Sequence, residues 1–340
     1  MISKRLASMQ IVAAMGLAAC GTPTFTFPAR DQTCADPGMA ACSTDQTSTE
    51  ESRTVPVPMT FADTDLTFVV GRVSLPAPTA GSGGRQVAPG FNVDGLDSGP
   101  DGSSDPNANC EQFQPDFVST TDPQHVGVDN ALSGLIPTIE NLIPTENCPG
   151  GVRAGCIDAL LASQLEMGSF LLLMEVHGVN DYVNDSSVTV EFFVGALPAG
   201  ATIETGPDGF AADQTFDTMM SLGTPVPGDI FMGRLRATTP MLPLNIDAGE
   251  FALTLTVSNA EVRFTIGANG TTATNGAIGG VITVESIVQA AVMIMPDIEG
   301  VVRSTVENVA DVTPTAADPA VCESLSVGIS FSGVSAIRNP

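Results

Sequence analysis

Val188-Thr189-Val190-Glu191-Phe192-Phe193-Val194 is the stretch that decides how this chain is read. Val188, Val190, Phe192 and Val194 alternate with Thr189 and Glu191, and a two-residue period with one apolar face is that of a strand half-buried in a sheet. Related signals lie on both sides. Phe170 to Val176 is a nearly continuous apolar run. Ile230 to Leu235, Met241 to Ile246, Phe251 to Val257 and Val262 to Ile266 follow, the last two expected to form a hairpin through Ser258-Asn259-Ala260. Upstream, Leu66, Phe68 and Val70, then Val73 and Leu75, alternate with a slip at Gly71-Arg72 that reads as a bulge. Leu325, Val327, Ile329 and Phe331 close the series. Short strands separated by turn signals are the pattern of antiparallel sheet.

Helical periods interrupt it. Val128, Leu132, Leu135, Ile136, Ile139, Leu142 and Ile143 share one face of a helix, with Asp129 placed as N-cap and Pro137 expected to kink or divide it. Ile157, Leu160, Leu161 and Leu165 begin a second helix that stops near Gly168. Val281 to Met295 reads as a buried helix and Ile298 to Val309 as another, opened by Pro296-Asp297. Together these elements predict an α+β fold, mainly antiparallel sheet or sandwich with a few packed helices, in a single domain over residues 61–340.

The N-terminus has a different character. Lys4 and Arg5 precede the short apolar run Leu6, Met9, Ile11, Val12, Met15 and Leu17, the order of a secretory signal and too short for a permanent span. It ends in Leu17-Ala18-Ala19-Cys20, which resembles the lipobox of bacterial lipoproteins. That resemblance implies removal of residues 1–19 and acylation of Cys20; Gly21 in place of Asp implies the outer membrane. Several acyl chains make a stable anchor where one is marginal. Residues 20–60, rich in Thr, Pro, Ser, Asp and Gln, read as a disordered tether.

Charge narrows the function. The formal net charge is −26, and Lys4, inside the signal, is the lone lysine. Nucleic acid is excluded as a partner, because its phosphates need Lys and Arg. Schiff-base chemistry and a Walker-type loop are excluded with it. No G-x-S-x-G or H-E-x-x-H occurs, and His125 and His177 are the whole stock of imidazole. His177, at the end of an apolar strand, reads as a residue that hydrogen-bonds backbone.

Six cysteines remain after Cys20, and an even number in an exported chain points to disulfides. Cys34 with Cys42 and Cys148 with Cys156 have the same short separation, which leaves Cys110 to Cys322; other connectivities stay open. Zinc is the competing use of these cysteines, but no C-x-x-C spacing occurs and neither histidine lies near a cysteine cluster.

The acidic loops carry the chemistry. Asn92, Asp94, Asp97, Asp101, Asp105, Asn107 and Asn109 crowd one stretch, and Asn180, Asp181, Asn184 and Asp185 another. Oxygen ligands of this kind suit Ca²⁺, although the same residues favour solvated turns. Asp101-x-Ser103-x-Asp105 fails as an EF-hand, with Pro106 at the sixth position and Gln112 at the twelfth.

Beyond the lipobox, the order of short motifs is similar to that of a set of uncharacterised bacterial lipoproteins. It runs Phe91-Asn92-Val93-Asp94-Gly95, Cys110, Gly127-Val128-Asp129-Asn130, Gly178-Val179-Asn180-Asp181 with Asn184-Asp185, Gly279-Gly280-Val281-Ile282, and Cys322 to Ser326. The resemblance implies one domain in which the acidic segments belong together. For Ca²⁺ the positions singled out are Asp94, Asp129, Asn130, Asp181, Asn184 and Asp185. The expected role is therefore non-enzymatic binding or structural support at the outer membrane, joined to it through lipid, with the protein or small-ligand partner left open. The alternative is a carrier of a lipid or other hydrophobic ligand, its pocket lined by Val281 to Met295 with Met293 and Met295; a hydrolase stands third.

Overall fold

The computed structural model describes residues 61–81, 84–97, 110, 116–120, 126–207, 209–247, 252–294, 299–318 and 320–340. Cys20, the tether, Cys34 and Cys42, His125 and the Asp101–Gln112 loop apart from Cys110 lie outside them. The chain begins with β1 (Thr64–Ser74) and a small sheet of β2 (Thr79–Ala80), β3 (Gln86–Ala88), β4 (Phe117–Ser119) and β5 (Val126–Val128). Helices α1 (Ala131–Leu142) and α2 (Cys156–Met167) follow, then β6 (Leu172–Val179), β7 (Asn184–Ala196), the hairpin β8 (Thr205–Gly206) and β9 (Gly209–Phe210), β10 (Gln214–Ser221) and β11 (Val226–Phe231). The last third holds β12 (Arg234–Asp247), β13 (Ala252–Ile266), β14 (Thr272–Thr283), α3 (Val284–Ile294), α4 (Glu299–Glu307), β15 (Val312–Pro314) and β16 (Cys322–Asn339).

The α+β sandwich expected from the sequence is not what forms. β1, β6, β7, β11, β12, β13, β14 and β16 hydrogen-bond in that order, and β16 returns to β1, closing an eight-stranded barrel. Every neighbouring pair in the ring is antiparallel. Closure rests on β1, which pairs Phe68 with Met174 of β6 on one edge and with Ser335 of β16 on the other. Alternation within a strand reports one buried face; it is the same whether the sheet ends or closes.

The strands are longer than their sequence signals, because irregularities bend them instead of ending them. Ser258-Asn259-Ala260 is no hairpin: β13 runs straight through it, Asn259 takes φ 48°, and the register with β14 shifts between Ser258 and Glu261. The true turn between β11 and β12 is Met232-Gly233, both at positive φ, inside the run read as one strand. The slip at Gly71 is a register shift between Val70 and Arg72 against β16. The run from Val281 divides, three residues finishing β14 before α3 begins. Helix α1 continues through Pro137, and its N-cap is Asn130 in place of Asp129, its side chain accepting the Ser133 amide.

The barrel is filled. Phe68, Phe264 and Phe331 meet across it, with ring centroids 5.4 and 6.0 Å apart, among Val70, Met174, Val176, Val190, Phe192, Leu235, Val262, Val327 and Ile329. An eight-stranded barrel is narrow enough for side chains to fill most of its interior. Alternate residues, such as Thr189, Glu191, Glu261 and Arg263, face outward. An apolar interior is the reverse of a membrane-spanning barrel, whose interior is polar. Among the described residues no helix is long and apolar enough to cross a membrane.

Two outer layers lie on the wall. Leu165 of α2, Phe210 and Phe216 cover Val69, Leu173 and Phe193. Helices α1, α3 and α4 pack around Leu135, Val288 and Val306 with Cys110 and Cys322. Cys110–Cys322 and Cys148–Cys156 are disulfides, with S–S distances of 2.02 and 2.07 Å. The first ties the segment before β4 to the start of β16.

Candidate metal centres

Two groups of acidic side chains stand on the barrel wall. The first is built around Asp129, between β5 and α1. Gly127 takes φ 74°, and a Cβ there would stand 2.6 Å from the Leu96 carbonyl oxygen. This approach lets the 91–96 turn fold against β5. Asp129 N–H donates to Phe91 O at 3.0 Å, and its Oδ2 accepts the amides of Val93 at 2.6 Å and Asp94 at 3.3 Å. Asn92 and Asp94 close the turn internally, Asn92 Oδ1 accepting the Gly95 amide and Asp94 Oδ1 the Leu96 amide.

The turn is fixed to the barrel through Gly328. A Cβ at that position would lie 2.0 Å from Pro89 O. Asn130 Nδ2 donates to Pro89 O at 2.7 Å and to Gly328 O at 3.1 Å, while its Oδ1 caps α1. Asp311, between α4 and β15, accepts the Ser326 amide at 2.8 Å and the Ser326 hydroxyl; that hydroxyl oxygen accepts the Ala131 amide. Ser326 thus joins Asp311 to the start of α1.

Asp116, Phe117, Asp129, Asn130, Gly134 and Asp311 are among the residues lining a cavity of about 30 Å³ here, room for a water or an ion and not for an organic ligand. Burial, with the nearby charges of Asp94, Asp116 and Asp311, pushes the Asp129 carboxyl up to about 9. Burial raises Asp311 to about 7 against the opposing effect of its Ser326 hydrogen bonds. Removing carboxylates from water and from countercharge disfavours their ionised forms. A hard cation would reverse the balance, displacing protons and turning mutual repulsion into ligation. No three of these carboxylates bring oxygens within 4.8 Å of one another, so an ion would have to draw them inward.

The remaining sequence candidates are elsewhere. Asp181, Asn184 and Asp185 form the β6–β7 turn, beside the β13–β14 turn, where Tyr182 covers Gly270. These side chains accept backbone amides of their own and a neighbouring turn. Asp181 Oδ1 accepts the Val183 amide; Asp185 accepts those of Asn180 and Ser187, one on each oxygen; Asn184 Oδ1 accepts the Met232 amide. Asp94, Asp129 and Asn130 are brought together, and this second set does not join them.

The other group lies on the outer face of β1, β6 and β7. Asp65, Glu175 and His177 each place one ligand atom within 4.8 Å of the others, a group that could hold a metal ion. His177 Nδ1 is 3.3 Å from Asp65 Oδ2, and Nε2 is 3.8 Å from both Glu175 Oε2 and Glu191 Oε2. Arg338 Nε sits 2.8 Å from Glu175 Oε2 and its guanidinium lies 4.6 Å over the Phe193 ring. Hydrogen bonds from His177 and Gly178 and the charges of His177 and Arg338 outweigh desolvation and lower the Asp65 carboxyl.

Asp116 and Asp311 escaped the sequence reading because each is isolated in its own segment. Asp65, Glu175 and Glu191 escaped it for a different reason. The alternation of β6 and β7 puts Glu175, His177 and Glu191 on the polar face, but their meeting needs the register, in which Glu175 pairs with Glu191 and His177 with Thr189. His177, read as a strand-end residue, is surrounded by carboxylates. The chain matches no family model, no curated protein and no solved structure, so its functional reading rests on the chemistry of these two centres.

Proposed function

We propose that the protein is an outer-membrane lipoprotein, acylated at Cys20 and tethered through residues 20–60, whose barrel is a non-enzymatic binding or structural module that takes up Ca²⁺ at the Asp129 cavity. The observation that carries this reading is the burial of Asp129 with Asp116 and Asp311 around a cavity of ionic size, Asp94 adding its like charge from the turn beside it. Buried carboxylates cost free energy unless they are protonated or matched by positive charge. All-oxygen donors and carboxylates from several loops are what Ca²⁺ prefers.

The carrier alternative draws less support. The apolar cavity under α1 and α2, among Val70, Leu132, Leu161, Phe170, Ile282 and Ile329, is about 30 Å³, whereas pockets for organic ligands run to roughly 300 Å³ or more. Calorimetric titration of the metal-stripped full chain with Ca²⁺ tests the calcium reading. One saturable site, lost in Asp129→Asn, is expected. No heat of binding up to millimolar Ca²⁺ would refute it. Labelling of Cys20 by palmitate, and its loss in Cys20→Ala, tests the anchor.

A further inference from the structure

The group on the outer wall has a chemistry distinct from the cavity. Three carboxylates, Asp65, Glu175 and Glu191, surround one imidazole, and Arg338 is the cation ion-paired with Glu175. With neutral imidazole the formal charge of this set is −2, which one divalent cation cancels. Glu175 is 7 % exposed, and its buried Oε2 lies 2.8 Å from Arg338 Nε and 3.8 Å from His177 Nε2 with no hydrogen bond formed to it. A carboxylate oxygen has more than one lone pair, so Oε2 can take a cation beside the Arg338 ion pair. Asp65 is more than half exposed and His177 about a quarter, so an ion can enter from solvent.

We infer that Asp65, Glu175 and His177, with Glu191 beside them, form a site for a divalent transition metal, Zn²⁺ foremost. Imidazole nitrogen selects against Ca²⁺ and Mg²⁺, which take oxygen, and suits Zn²⁺ and its neighbours in the first transition row. Ligand atoms within 4.8 Å of one another need only a small contraction to meet one ion at bond lengths of about 2.0–2.2 Å. His177 presents different carboxylates to its two nitrogens, Asp65 to Nδ1 and the glutamates to Nε2. With Nδ1 binding the metal beside Asp65, Nε2 faces Glu191, whose carboxylate can hold its N–H, the arrangement that orients metal-bound histidines. The supporting frame is rigid: Glu175, His177 and Glu191 stand on adjacent barrel strands in fixed register.

The test is titration of the metal-stripped full-length protein with Zn²⁺, read by calorimetry, with Cu²⁺ as a spectroscopic probe read by electron paramagnetic resonance. One Zn²⁺ per chain is expected, weakened about tenfold or more in His177→Gln and in Glu175→Gln and unchanged in Asp129→Asn, which separates this site from the calcium cavity. Nitrogen hyperfine splitting of the Cu²⁺ signal should vanish in His177→Gln. If that variant fails to fold, Asp65→Asn, a change at a ligand more than half exposed on the outer wall, should weaken Zn²⁺ in the same way while the nitrogen splitting stays in place. Absence of saturable Zn²⁺ binding by the parent protein, or equal affinity in a folded His177→Gln, would overturn the assignment.

Discussion

Asp129 Oδ2 accepts the Val93 amide at 2.6 Å, so a carboxylate before α1 organises a turn that lies 36 residues earlier. The same group is buried and raised to about 9. Without metal, folded protein therefore keeps a proton on Asp129 that the unfolded chain releases near the ordinary carboxyl value of 3.8. Since the folded state binds the extra proton, this contribution is complete below pH 3.8 and is lost as pH rises towards 9. Asp311 acts in the same direction up to about 7. In EDTA, the free energy of unfolding from urea titrations should fall from pH 5 to pH 8, by about 1.4 kcal/mol per pH unit for each carboxyl that alone stays protonated in the fold. Asp129→Asn should flatten that dependence, and an unchanged slope would argue against a buried protonated Asp129.

The Cys110–Cys322 disulfide spans 212 residues of sequence. Closing so long a loop restricts the unfolded chain strongly, and the chain-entropy relation gives about 5 kcal/mol. The double variant Cys110→Ala with Cys322→Ala should lose a large part of this in denaturant titrations. The Cys148–Cys156 loop is short and its removal should cost less.

Gly328→Ala puts a methyl group where Pro89 O already stands, 2.0 Å from an ideal Cβ. Backbone must move, at about 1–3 kcal/mol by comparison with other overpacked sites. Because Pro89 leads into the turn held by Asp129, calcium affinity should fall in the same variant. Phe264→Ala, at the centre of the barrel, should cost about 3–5 kcal/mol and leave the metal centres in place if enough fold survives. Denaturant midpoints combined with Ca²⁺ titration separate the two effects.

Strand positions were legible in the sequence where one face is apolar, as in Val188 to Val194 or Leu325 to Phe331, because burial writes its period directly into the residues. Closure was not. It depends on β1 pairing with both β6 and β16, a long-range match that no local pattern carries. Turn chemistry misled at Asn259, since Asn at positive φ serves a bulge as well as a hairpin. Within the acidic segments, residue type pointed to Asp94 and Asp129 but could not part them from Asp181 and Asp185, whose oxygens cap their own turn. Asp311 and the carboxylates around His177 become visible only with the fold.

Calcium uptake by the Asp129 cavity is tested by the thermal melt of the full-length protein at neutral pH, in EDTA and then in millimolar Ca²⁺. A ligand at a hundredfold excess over Kd stabilises by about 2.7 kcal/mol, which raises Tm by several degrees. That rise is expected in the parent protein and in Asp181→Asn, and its loss in Asp129→Asn. An identical Tm with and without Ca²⁺, or a shift that survives Asp129→Asn, would contradict it.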